Sequence, residues 1–223
     1  MKTVYITVIL VSVLFLISPL QAAENQPTPE NNAQEETVAK NVIGVGAKVG
    51  FTIPQINSEF DTSFSTHLEL TYLMPFWGSR FGIVTALGYS QPGASGSGID
   101  ERLPEGSYSW EISQKQLLWD LGVTLRVMSW ETDWNVAFST GSRMMFVSTV
   151  TNGTSGGESF GEHDEQGRLY GFFLSALAEY RLGPGSLFGE LNYCFTLQDL
   201  RTTGDLSFSE IKIMAGYRFD FAF

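Results

Sequence analysis

Ser65, His67 and Glu69 alternate along S-T-H-L-E, which puts a hydroxyl, an imidazole and a carboxylate on one face of an extended chain. These are the groups of a nucleophile, a base and an acid, the chemistry of acyl transfer. Positions i and i+2 of a strand stand about 7 Å apart, too far for the nucleophile–base hydrogen bond from which that chemistry starts. His67 therefore reads first as one of a set of inward polar residues, with a hydrolase as the alternative. A second cluster, Glu158, Glu162, His163, Asp164 and Glu165 in E-S-F-G-E-H-D-E, offers oxygens to Ca²⁺, but its spacing fits no calcium loop and reads as a solvated acidic stretch. Asn152-Gly153-Thr154 has the form of a glycosylation acceptor and reads as a turn. The largest set is Lys48, His67, Glu69, Asp120, Arg126, Arg143, Glu179, Glu190, Lys212, Arg218 and Asp220, each on the face opposite a run of apolar residues. Buried together, such charges must pair with one another or with trapped water, because an unpaired buried charge costs several kcal/mol. No cofactor is implied.

The elements that must position them alternate with period two. In 207–223, Ile211, Ile213, Ala215, Tyr217, Phe219, Phe221 and Phe223 share one face, and Glu210, Lys212, Met214, Gly216, Arg218, Asp220 and Ala222 the other. The same alternation predicts strands over 42–53, 62–74, 81–90, 108–127, 134–147, 168–182 and 187–197, with Pro54 ending the first. The fifth has the weakest register, since Thr140 and Ser142 interrupt its apolar face. Eight strands in all predict an all-β, antiparallel up-and-down barrel, whose lumen is just wide enough for side chains to fill. The connections alternate between long and short; the long ones include a Gly/Ser/Pro stretch over 91–106 and a Gly/Thr/Glu stretch over 151–167.

Alternation alone fits a soluble barrel with its apolar face inward as well as a membrane barrel with that face outward. The aromatics favour the membrane. Phe76, Trp77, Phe81, Trp130, Trp134, Tyr180, Phe219, Phe221 and Phe223 gather at one end of the apolar faces, and Phe51, Phe64, Tyr89, Phe146, Tyr170 and Phe195 at the other, as two interfacial girdles do. The opposite face is rich in Gly and Ala, as a narrow interior requires.

A terminal Phe223 preceded by aromatics at every second position resembles the closing strand of bacterial outer-membrane β-barrels. The stretch 42–223 as a whole resembles the small barrels of the outer-membrane protein A and X class. The resemblance implies residence in the outer membrane and contact with its lipid and lipopolysaccharide. It also implies recognition of the last strand by the barrel-assembly machinery, a polar interior plugged by ion pairs, and a structural or interaction role carried by outer loops. Two outer-membrane enzyme families, lipid A deacylases and palmitoyltransferases, use Ser and His with an acid; the order Ser65 before His67 departs from the deacylase pattern. A narrow channel is a third expectation.

Residues 1–23 carry one positive charge, an apolar run over 4–17 and small residues at Ala22 and Ala23, the pattern of a secretory signal peptide. Residues 24–41 are polar, acidic and without apolar periodicity, and are expected to form a disordered periplasmic leader that could meet a periplasmic partner. Cys194 is the single cysteine, so no internal disulfide is available. With the net charge of −11 falling to −12 once Lys2 is removed, nucleic acid is a poor partner. A surface or periplasmic protein is a better one.

Overall fold

The computed structural model describes residues 40–55, 60–102, 106–156, 158–199 and 207–223. The expected signal peptide and almost all of the acidic leader lie outside the described residues. Nine strands appear in chain order: β1 (Val42–Gln55), β2 (Ser63–Leu73), β3 (Phe81–Ser90), β4 (Gly93–Ile99), β5 (Ser107–Arg126), β6 (Trp134–Ser155), β7 (Glu158–Leu182), β8 (Gly185–Asp199) and β9 (Ser207–Ala222). Except for β3 and β4, each pairs antiparallel with its neighbour in the chain, and β1 also pairs with β9, from Val42 opposite Ala222 to Gln55 opposite Ser209. The sheet is therefore closed. β3 and β4 both pair with β5, over Gln116–Leu125 and Ser107–Ser113, so they are two parts of one stave broken at Gln91-Pro92. Proline has no N–H to give the ladder and marks such breaks. Nine strands thus make an eight-stave antiparallel barrel.

Burial is inverted relative to a water-soluble protein. Leu68 is 67% exposed and Leu191 54%, whereas Lys212 and Glu210 are 0% exposed and Arg143 1%. An apolar outer surface this continuous has no stable place in water; hydrocarbon is its solvent, and a closed barrel leaves no sheet edge unsatisfied there. The soluble alternative, apolar face inward, is excluded by this arrangement. β6 keeps its register through Thr140 and Ser142, with Val136 and Phe138 outward and Arg143 inward.

Two expectations about strand limits are corrected. β1 does not stop at Pro54: its pairing with β2 ends at Thr52, but its pairing with β9 continues through Pro54 opposite Glu210 to Gln55. The stretches over 91–106 and 151–167 are not long loops. β4 and β5 pair as far as Ile99 with Ser107, and β6 and β7 as far as Ser155 with Glu158, with one irregularity near Asn152. Beside the backbone ladder, the Trp110 and Tyr108 rings lie over Gly96 and Gly98, and Ser109 bonds Thr154 at 2.7 Å; the Gly, Ser and Thr residues of 93–99 and 149–155 give no apolar alternation to read. The acidic cluster from Glu158 to Glu165 consequently lies in β7.

The opposite ends are tight turns. Gly183 (φ 62°) supplies the left-handed conformation between β7 and β8. Between β2 and β3, Trp77 (φ 54°), Gly78 (φ 66°) and Ser79 (φ 57°) are successively left-handed; the buried Ser79 hydroxyl donates to the Lys40 carbonyl at 2.5 Å and holds that turn against the start of β1.

Candidate functional site

The polar residues converge inside the barrel into one connected network. At the short-turn end, Arg218 of β9 donates through Nη2 to Glu179 of β7 and through Nε to Asp220 Oδ1 at 3.0 Å, and lies 3.5 Å from Glu69 Oε1. Arg126 of β5 reaches Glu179 Oε1 at 2.9 Å, and Ser186 donates to Asp220 Oδ2 at 2.9 Å. Glu69 links this group to the middle of the lumen, where Lys48 Nζ of β1 bridges Glu69 Oε2 at 2.7 Å and Glu190 Oε2 at 2.5 Å. Asn192 donates to Glu190 Oε1 at 3.2 Å and accepts from Arg143 at 3.2 Å.

Arg143 of β6 is the hub of the middle layer. Its guanidinium makes a two-pronged bond to Asp120 of β5 (Nε to Oδ1 2.6 Å, Nη2 to Oδ2 2.7 Å) and a third to Glu210 Oε1 at 2.9 Å. This fork geometry is available to arginine and not to lysine. The Phe173 ring lies 6.0 Å from its Cζ, and Phe188 lies 5.7 Å from that of Arg218. Lys212 Nζ completes the chain 3.1 Å from Glu210 Oε1, off the line of a hydrogen bond.

The network joins Lys48, Glu69, Asp120, Arg126, Arg143, Glu190, Lys212 and Arg218 with Glu179, Glu210 and Asp220. Five cations face six acids, so the lumen is close to neutral in a chain whose net charge is −11. His67 stands apart. Its ring lies against the bare backbone of Gly88, where a Cβ would come 2.5 Å from ring atoms. Neither its Nε2 nor the buried Ser65 hydroxyl has a hydrogen-bond partner in the structure, and the pair does not form the nucleophile–base contact that acyl transfer requires.

The diagonal Glu190 to Lys212 ion pair that the strand order suggests does not form. The register sets Glu190 opposite Met214 and Asn192 opposite Lys212, but both partners are taken elsewhere. Gly216 stands between Lys48 on β1 and Phe188 on β8. With no side chain there, Lys48 passes across β9 to Glu190, while Glu210, two residues before Lys212, occupies Lys212.

Sequence reading left Glu210 out of the lumen set although it shares the parity of Lys212. It also missed the apolar residues on the inward face. Leu118, Met145, Val147 and Leu169 are at most 4% exposed and pack with Phe60 at the long-hairpin end of the lumen; Ala137, Leu177 and Phe188 cluster at the other end. Their signal was parity, since Leu118 lies between Gln116 and Asp120 on the inward face of β5. Beside the second cluster, a cavity of about 20 Å³ is bounded by Ala137 and Leu177 and by charged residues such as Lys48, Glu190, Asp120 and Arg218. That is room for about one water.

Outside, Trp134 and Tyr180 pack at 4.8 Å, Phe76 stacks on Phe81 at 5.9 Å, and Tyr217 meets Phe219 edge-on at 5.0 Å. Arg181 lies over Trp130 at 4.6 Å. Trp77, Phe221 and Phe223 point outward at the same short-turn end. Phe51 with Phe64 at 6.2 Å and Phe172 with Phe195 at 5.7 Å lie toward the other end.

No known protein-family pattern and no curated protein matches the chain. Among solved structures it is similar to a major outer membrane protein from Thermus thermophilus, with a TM-score of 0.54 at 16% identity over 81% of this chain and 99% of that one. It is also similar to Ail, the attachment invasion locus protein of Yersinia pestis (TM-score 0.43, 14% identity, 81% and 98% covered), and to Neisserial surface protein A (0.43, 12%, 81% and 97%). At these identities the likeness is one of fold. With its eight staves closed, its charges inside and its apolar side chains outside, the chain has the fold of the small eight-stranded bacterial outer-membrane β-barrels.

Proposed function

We propose that this barrel is a non-conducting structural and interaction protein that works through the sheet projecting from its long-hairpin end. The observation that carries this reading is strand length. A tilted strand crosses a bilayer in about 9 to 11 residues, yet β5, β6 and β7 have 20, 22 and 25. With β4 they form a four-stranded sheet that outruns the apolar band. Across its connection from β4 to β5, Asp100 N–H donates to the Gly106 carbonyl at 2.9 Å, and Arg102 grips the Asp100 carboxylate at 2.6 and 2.9 Å, holding it below the usual carboxylate range. A sheet standing on a rigid barrel is a defined recognition surface, and the long-hairpin end is the outward one in this reading. Adhesion or assembly with another envelope protein is the corresponding role. Lipid and lipopolysaccharide surround the wall, and the assembly machinery engages β9.

The test combines two measurements on the full chain. Cells of a Gram-negative host displaying it are compared, for adhesion to fixed epithelial monolayers and capture of cross-linked envelope proteins, with cells displaying a variant whose 149–166 ribbon is shortened to a tight turn. Planar-bilayer recordings are made on the purified wild type. The reading expects both binding signals to fall with ribbon length and no steady conductance. Steady conductance, or binding unchanged by shortening, overturns it.

A further inference from the structure

The outer wall carries a groove of about 480 Å³ at the long-hairpin edge of the apolar band. Its floor is a cross-strand row, Tyr89 on β3, Leu117 on β5 and Phe146 on β6, with Arg168 on β7 next in line. One pair further out, Lys115 on β5 stands opposite Ser148 on β6. Along β5 the outward residues Leu117, Trp119, Leu121 and Val123 are apolar, and Lys115 is the first charge beyond them. Along β7, Arg168 is likewise the first charge beyond Tyr170, Phe172 and Leu174. The guanidinium of Arg168 lies over the Phe146 ring at 5.6 Å, which holds its planar fork at the groove.

Four described cations, Arg80, Lys115, Arg168 and Arg181, have no ion pair, and of these Lys115 and Arg168 stand at the long-hairpin edge while Arg80 and Arg181 stand at the short-turn end. Among the described residues, Lys48, Arg126, Arg143, Lys212 and Arg218 are paired inside the lumen, and Arg102 is bonded to Asp100. Lys115 and Arg168 have no ion pair in the structure, although they belong to a chain of net charge −11. They sit on alternate strands and one pair out of line, about 12 Å apart at the backbone, with apolar floor toward the hydrocarbon. An occupant that fits must bring acyl chains to Leu117 and Phe146 and negative charge to Lys115 and Arg168. The volume lies within the range of small-molecule sites, about 300 to 1,000 Å³.

We infer that this groove binds a phosphorylated lipid headgroup of the leaflet around the long-hairpin end, with Lys115 and Arg168 on its phosphates and Tyr89, Leu117 and Phe146 against its acyl chains. In the orientation proposed above that lipid is the phosphorylated glycolipid of the outer leaflet. The site rests on that orientation for the identity of its lipid and not for its chemistry.

Native mass spectrometry of the full chain folded in detergent, titrated with bisphosphorylated lipid A, tests the site. One lipid should be retained per barrel. Dephosphorylated lipid A should bind about 10-fold or more weakly, since a charge-assisted hydrogen bond to a phosphate is worth about a factor of ten or more. Lys115→Gln with Arg168→Gln should weaken retention to a similar degree, and Arg181→Gln at the opposite end should leave it unchanged. Inorganic phosphate at millimolar concentration should not displace the lipid. Equal retention of the two lipid A forms by the wild type overturns the inference without any variant having to fold; equal retention by wild type and double variant does so as well. Displacement by phosphate alone would mean a simple anion site and would also overturn it. Protease accessibility of the Gly156 tip on whole cells reads the orientation independently, so failure of the orientation and failure of the site are separate results.

Discussion

Arg143→Met removes the hub of the lumen while keeping a side chain of similar reach against Phe173. The substitution deletes two bonds to Asp120, one to Glu210 and one to Asn192, and leaves the Asp120 carboxylate in the interior with its cation gone. Breaking a buried pair from one side costs about 3 to 5 kcal/mol. Glu210 keeps Lys212 at 3.1 Å, so the orphaned group is Asp120, and the expected cost lies at the lower end, about 3 kcal/mol. Adding Asp120→Asn removes the stranded charge and should return part of that loss, a coupling of about 1 to 3 kcal/mol. Urea titration of the protein in phospholipid vesicles, followed by tryptophan fluorescence and by the gel mobility of unheated samples, measures both quantities. A single variant destabilised by less than about 1 kcal/mol, or a double variant whose cost is the sum of the two singles, refutes the picture of a lumen held by one charged network.

On the lipid face, Leu191→Arg, at the middle of β8, should cost about 2 to 4 kcal/mol in bilayers, and unchanged stability there would invert the inside and outside assignment. Gly88→Val should displace the His67 ring and lower the fraction of folded barrel on an unheated gel. Gly189→Ala, where a Cβ meets nothing within 4 Å, should leave that fraction unchanged. On whole cells, an added protease should cleave near Glu101 or Gly156 and spare the Gly183-Pro184 turn; the reverse pattern would put the projecting sheet in the periplasm.

The barrel was legible because a sheet with two different solvents writes its parity into the chain. Leu117 to Leu125 against Gln116 to Thr124 is unambiguous, and the even strand count follows from repeating it. The ribbons were legible only in part: the strand expected over 108–127 includes the alternation of Tyr108, Trp110 and Ile112 in β5, whereas Gly93 to Ile99 and Thr149 to Ser155, made largely of Gly, Ser and Thr, carry no apolar alternation. Partner choice in the lumen was legible only in part. Asp120 opposite Arg143 is a direct cross-strand pair, whereas Lys48 to Glu190 crosses a strand and depends on the absence of a side chain at Gly216. The inward Leu118 and Met145 were missed because an interior expected to be polar was read by its charges alone.

The seam between β1 and β9 also bears on the order of folding. Asn41 and Phe223 exchange backbone hydrogen bonds at 3.1 and 3.0 Å, so the strands that close the cylinder come from opposite ends of the described chain. Every other stave pairs with a close neighbour in sequence and can form as a hairpin, but this ladder pays the loop-closure entropy of nearly the whole barrel. Until it forms, β1 and β9 are two open edges able to pair with another chain. Closure is then the last step and the slow one, and the state just before it is the species most prone to join a second copy instead of itself.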